Sequence, residues 1–150
     1  MPTFHPRVNV ALIGTDEVVT PLAERALAQT QYQFKTFRTV EAATSSTLID
    51  FRPHMILLQT GGSGDVANVQ RHLQAKSLHY RALPLLALLP EPDDGAVEQA
   101  FEEGATDVIA KPFTASQLRS RVDSWLFRSN VAIERRQHAR ASLFEAAGAC

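Results

Sequence analysis

The sequence predicts an α/β domain built on a doubly wound parallel sheet with helices on both faces. Three observations carry this. Short runs that are apolar at successive positions, rather than at alternate ones, mark strands buried on both faces. Between them the apolar period lengthens to about 3.6 residues, so that strand and helix alternate five times. A length of 150 residues, 45% of them hydrophobic, suits one sizeable core rather than two.

The first strand is expected at VNVALI, Val8 to Ile13. A helix follows with Val19, Leu22, Ala23 and Ala26 on one face; Thr15 and Asp16 are its candidate caps, and Pro21 is tolerated in its first turn. QFKTF, Gln33 to Phe37, alternates less cleanly and reads as an edge strand. Thr39 can cap a second helix that turns Val40, Leu48 and Phe51 inward and ends at Arg52-Pro53. HMILLQ, His54 to Gln59, is the third strand. Asp65 is expected to cap the next helix, with Val66, Val69 and Leu73 on its core side. PLLALL, Pro84 to Leu89, is the fourth strand. Asp93 and Asp94 precede a helix with Val97, Ala100 and Phe101 inward, and Gly104 sits where a left-handed cap belongs. DVIA, Asp107 to Ala110, is the fifth strand. A last helix begins at Thr114, with Leu118, Val122, Trp125 and Leu126 on one stripe.

Composition excludes several classes of function. The 15 Lys plus Arg nearly balance the 16 Asp plus Glu, so no global field recruits nucleic acid or an anionic membrane. The one cysteine, Cys150, has no partner for an internal disulfide or a cysteine-type zinc site, which fits a reducing compartment. The start, MPTFHPRVNV, has no apolar signal-peptide core, and no run approaches the roughly 18 apolar residues of a membrane span. The expectation is a cytoplasmic protein. The five histidines, His5, His54, His72, His79 and His138, show no metal-ligand spacing.

Right-handed crossovers place any site outside the carboxyl ends of the strands, where the winding reverses. Those ends are Gly14 to Glu17, Gln59 to Gly64, Leu89 to Asp94 and Lys111 to Thr114. The glycine-rich TGGSGD, Thr60 to Asp65, follows neither G-x-x-x-x-G-K-[ST] nor G-x-G-x-x-G and reads as a loop.

Taken in order, ALIGTDE, RPHMILLQTGGSGD, LPLLALLPEPDD and EEGATDVIAKPFTASQLRSRV resemble the receiver domain of bacterial two-component response regulators. The resemblance spans Val8 to Arg128, and GATDVIAKPF followed by a helix is its most specific element. It implies a flavodoxin-like sheet of order 2-1-3-4-5. It also implies phosphoryl transfer from a histidine kinase to an aspartate, with Mg²⁺ on an acidic pair and a lysine neutralising charge.

Residue by residue that pocket is degenerate. The acidic pair maps to Thr15 and Asp16, the phospho-acceptor to Gln59, the closing hydroxyl to Leu89 and the activation-reporting aromatic to Val108. Lys111 and Asp16 alone match the pattern. An amide is no useful nucleophile, and Asp16 with two carbonyls makes a poor Mg²⁺ site. No catalytic residue, metal or cofactor is assigned. Lys111 is expected to meet Asp16 or the Gln59 carbonyl.

The reading is an atypical receiver domain over 8–128, not an enzyme, acting as a phosphorylation-independent signalling and protein-protein interaction module. Its candidate contact face holds Val108, Phe113, Leu118 and Arg119, and homodimerisation is among its expected uses. The alternative is a small-molecule or nucleotide sensor using the crevice. An enzyme reading finds no nucleophile and base pair. Beyond the domain, 129–150 reads as a helical extension or linker. It carries no proline and no glycine before Gly148, and its apolar residues are too sparse for a coiled coil. Arg128, Arg135, Arg136 and Arg140 outnumber Glu134 and Glu145, but without interleaved aromatics this reads as a solvated helix rather than a nucleic-acid patch.

Overall fold

The computed structural model describes residues 8–14, 16–28, 32–44, 46–60, 64–76 and 83–126. In chain order the elements are β1 (Val8–Ile13), α1 (Val19–Ala26), β2 (Tyr32–Phe37), α2 (Val40–Thr44), α3 (Ser46–Phe51), β3 (Met55–Gln59), α4 (Asp65–Lys76), β4 (Leu85–Leu89), α5 (Asp94–Glu102), β5 (Asp107–Ala110) and α6 (115–126). The five strands form one parallel sheet in the order β2-β1-β3-β4-β5. The doubly wound expectation holds, with β2 and β5 at the edges.

Contiguous apolar strands divide their side chains between two cores because successive residues point to opposite faces. Ala11, Ile13, Ile56, Leu58, Leu85 and Ala87 face one side, where Ala43, Leu48, Val66, Val69, Leu73 and Ala100 cover them from α2 to α5. Val10, Leu12, Met55, Leu57, Leu86 and Leu88 face the other, under Val19, Ala23 and Ala26 of α1 and Leu118, Val122 and Leu126 of α6. Register places Leu12, Leu57 and Leu86 side by side across three strands.

Helix ends are set by local chemistry. Asp93 caps α5, its carboxylate accepting from Gly95 N–H at 3.0 Å and Ala96 N–H at 3.4 Å. At the other end Gly104 (φ +111°) donates to the Phe101 carbonyl and Ala105 to that of Ala100, a Schellman closure that needs a left-handed residue. Thr114 and Gln117 form a reciprocal capping box at α6, the Thr114 N–H donating to Gln117 Oε1 at 2.9 Å and the Gln117 N–H to Thr114 Oγ1 at 3.1 Å. Thr39 Oγ1 accepts from Ala42 N–H at 3.0 Å, as its position predicts.

Three details depart from expectation. Asp65 is the first residue of α4 rather than its cap, because Gly64 (φ +97°) precedes it and its carbonyl accepts the Asn68 N–H. Phe101 does not point inward: it is 47% exposed, since Ala100 alone fills the α5 contact with the sheet. The stretch expected as one second helix comprises α2 and α3, and position 45 between them lies outside the described residues. The extension 129–150, with His138 and Cys150, also lies outside them, as do His5 and His79.

Leu57, fully buried in the central strand, makes the packing testable. Leu57→Ala is expected to lower unfolding stability by about 2–5 kcal/mol in a denaturant titration, from lost transfer energy plus the cavity.

Candidate functional site

The winding reverses between β1 and β3, and the ends of these two strands with that of β5 bring three polar side chains together. Asp16 follows β1, Gln59 closes β3 and Lys111 follows β5. The Lys111 ammonium donates to Asp16 Oδ2 in an ion pair whose side chains are 26% and 34% exposed. The Lys111 backbone N–H is fixed to the Leu89 carbonyl at 3.0 Å, and the Lys111-Pro112 peptide is cis.

Asp16 uses its other oxygen locally. Oδ1 accepts from Val18 N–H at 2.8 Å and Val19 N–H at 3.0 Å, shaping the entry to α1. Hydrogen bonding from Lys111, then from the Val19 and Val18 amides, lowers the Asp16 carboxyl from 3.8 to about 2.

Gln59 is held as firmly. Its Oε1 accepts the Asp16 backbone N–H at 2.8 Å, and its Nε2 lies 3.4 Å from Thr20 Oγ1. The side chain passes over Gly14, whose φ of +129° and missing Cβ both matter. A Cβ there would sit 2.6 Å from Gln59 Cβ and 2.9 Å from Oε1. Gly14 and Thr20 are thus part of the site: the sequence places Gly14 at a strand end without its role and does not mark Thr20, because a cradle for a side chain shows only once strand register is known.

These contacts answer the Mg²⁺ question raised by the resemblance. Both Asp16 oxygens and the Gln59 carbonyl already have donors, so the residues present do not fit a hard cation that needs several free oxygens. Among the described residues, no group of three or more His, Cys, Asp or Glu is placed to hold a metal. Thr15 and residues 61–63 of the glycine-rich loop lie outside the described residues. Leu89 is buried at the end of β4 and offers no hydroxyl to the pocket.

The expected contact face is only partly a surface. Leu118 is fully buried on the sheet-facing side of α6 and has nothing to offer a partner, because its stripe is the one that covers the sheet. Val108 and Phe113 are half-buried against the two cores. Arg119 is half-exposed and pairs with Asp123 at 3.6 Å. On the same helix, Tyr32 Oη donates to Asp123, while Trp125 Nε1 and Arg121 donate to Asp107 Oδ2 at 3.0 and 2.7 Å. Burial pushes the Asp107 carboxyl up, but these donors and the Val108 N–H outweigh it, leaving the group below its ordinary range. His54 is an acceptor, its Nδ1 taking the Asn9 N–H at 2.9 Å, and burial lowers its pKa.

No family model matches the chain. It is 25% identical over 119 residues to the transcriptional regulatory protein KdpE of Staphylococcus aureus, covering 76% of this chain and 48% of that one. The chain therefore spans about half the length of that relative. Among solved structures, the orphan response regulator HP1043 of H. pylori aligns with a TM-score of 0.64 at 24% identity, over 81% of this chain and 99% of that one. The chain has the receiver fold. The BeF3-activated DrrB receiver domain matches with TM-score 0.62 at 25% identity, over 80% and 97% of the two chains. The Vibrio cholerae chemotaxis protein CheY4 matches with TM-score 0.67 at 17% identity, over 79% and 98%. In this receiver fold the residues at the pocket are Asp16, Gln59 and Lys111.

Two outcomes are expected. Gly14→Ala forces both a left-handed alanine and a collision with Gln59, so its midpoint of thermal unfolding should fall well below that of an exposed control such as Gln99→Ala. For pH, the depressed Asp16 carboxyl contributes stability that is present above its unfolded value of 3.8 and lost as pH falls through about 2. Lys111→Met should flatten this acid loss over the same window, read by melting temperature against pH.

Proposed function

We propose that the chain is a receiver-type signalling module of the bacterial cytoplasm that acts through protein contacts, without phosphorylation and without catalytic activity of its own. The observation that carries this is Gln59. It stands at the end of β3 where the resemblance puts the acceptor, and its amide is bonded into the pocket on both sides. An amide offers no carboxylate oxygen to attack phosphorus, so no acyl phosphate forms there.

Electrostatics supports the same reading. The cation that a phosphoryl group would attract, Lys111, is already neutralised by Asp16. The pocket therefore holds one arrangement by internal bonds instead of waiting for a ligand to choose between two. The same pairing speaks against a nucleotide sensor in this crevice, since a phosphate would have to displace Asp16 from Lys111. Among the described residues no helix is long and apolar enough to cross a membrane. Self-association and binding of a signalling partner are the uses left to such a domain.

Incubation with acetyl phosphate and Mg²⁺, followed by intact-mass spectrometry of the folded chain, is the test. No phosphoryl adduct is expected; a stable one would end this reading.

A further inference from the structure

At the end of the sheet opposite the pocket, the starts of β1 and β3 and the end of α3 meet on one residue, Asn9. Its backbone carbonyl accepts the His54 N–H at 2.7 Å, and its backbone N–H donates to His54 Nδ1 at 2.9 Å. Its side-chain Nδ2 donates to the carbonyls of Phe51 at 2.8 Å and Arg52 at 3.2 Å, groups left open where α3 ends. Arg52 holds a φ of +53°, a left-handed conformation that residues other than glycine seldom adopt, and the bond to its carbonyl helps to keep it there.

This junction has little to spare. Asn9 Oδ1 is buried and has no hydrogen-bond partner among the described residues, so the hub already carries one unmet polar atom. Its N–H is received by an imidazole, where a strand N–H ordinarily finds a carbonyl. An imidazole nitrogen accepts only while it is unprotonated, which places the ring proton on Nε2. A proton added at Nδ1 turns the acceptor into a donor that faces another donor. His54 is exposed as a residue, so protons reach the ring from solvent.

We propose that His54 and Asn9 form a proton-operated latch: protonation of the imidazole releases the Asn9 N–H and loosens the starts of β1 and β3 together with the end of α3. The elements around the ring bring few charges. β1 and β4 carry no ionisable side chain, and the α3 end brings Asp50 and Arg52, both exposed. The last two turns of α4 bring Arg71, His72 and Lys76, and β2 brings Lys35, whose ammonium lies 5.9 Å over the Phe51 ring. Burial is the cause that holds the His54 pKa below its ordinary 6.5. The fold thus favours the neutral ring, and the latch contributes stability that is fully present above pH 6.5 and lost as pH falls through the lower folded value. Loosening stays at this end because α3 remains anchored by Leu48, fully buried, and by the Phe51 ring, edge-on to Phe37 at 6.5 Å. The inference goes beyond the interaction reading: its input is a proton, and it shares no residue with Asp16, Gln59 and Lys111, so the phosphorylation test and the one below fail separately.

Nuclear magnetic resonance of the ¹⁵N-labelled full chain, between about pH 7.5 and about pH 5, is the measurement. The imidazole nitrogen shifts should show the proton on Nε2 at the upper end. The Asn9 amide's protection factor against hydrogen exchange should fall by up to about tenfold per pH unit below 6.5 until the folded pKa is reached, while circular dichroism stays unchanged. His54→Asn, which sets an amide oxygen near the place of Nδ1 but does not titrate, should keep the protection and lose its pH dependence. A ring with its proton on Nδ1 at the upper end overturns the proposal, as does a protection factor level across the range. A His54→Asn variant that titrates as the unaltered chain does also overturns it, by assigning the effect to another group, and a loss of helical signal over the same range overturns it by making the change global.

Discussion

Everything in this fold depends on a sheet that must be dry on both sides. Parallel strands joined by helical crossovers have no solvent face, so β1, β3 and β4 carry apolar residues at consecutive positions and send alternate side chains into two separate cores. The covering helices then have no freedom over which side they present. That requirement fixes Leu118, Val122 and Leu126 downward, and in the central strand β3 it leaves the one polar residue, Gln59, at the strand's end.

The strand ends are where chemistry can be placed, and here they are occupied by mutual satisfaction. One carboxylate, one ammonium and one amide meet after β1, β5 and β3, and each meets a need of the others: Lys111 is neutralised by Asp16, and the Asp16 amide is received by Gln59. Gly14 makes the arrangement sterically admissible. Such a pocket contributes to the fold through bonds that it makes within itself.

Most of the architecture was legible in the sequence because consecutive apolar runs and 3.6-residue stripes report burial directly. Of the two partners expected for Lys111, Asp16 and the Gln59 carbonyl, the first is the one it meets, at strand ends that the receiver resemblance had already brought together. What periodicity misjudged were residues at the margin of a stripe. Phe101 follows Ala100 on α5, and a short helix needs only one small residue against the sheet, so the larger neighbour is left outside. For Leu118 periodicity was right, placing it on the buried stripe of the last helix, and it was its assignment to a contact face that failed. The Tyr32-Asp123 and Asp107-Trp125 contacts were illegible, because they join positions 91 and 18 residues apart whose proximity depends on the sheet order.

Those last two contacts have a mechanical meaning. Tyr32 belongs to β2 and Asp107 to β5, the opposite edges of the sheet, and both are tied to α6 within three residues of one another at Asp123 and Trp125. One helix therefore acts as a strap across the full width of the sheet. Peeling either edge strand loads the same helix that secures the other, so the two borders are bound to fray together and the domain opens as a single cooperative unit.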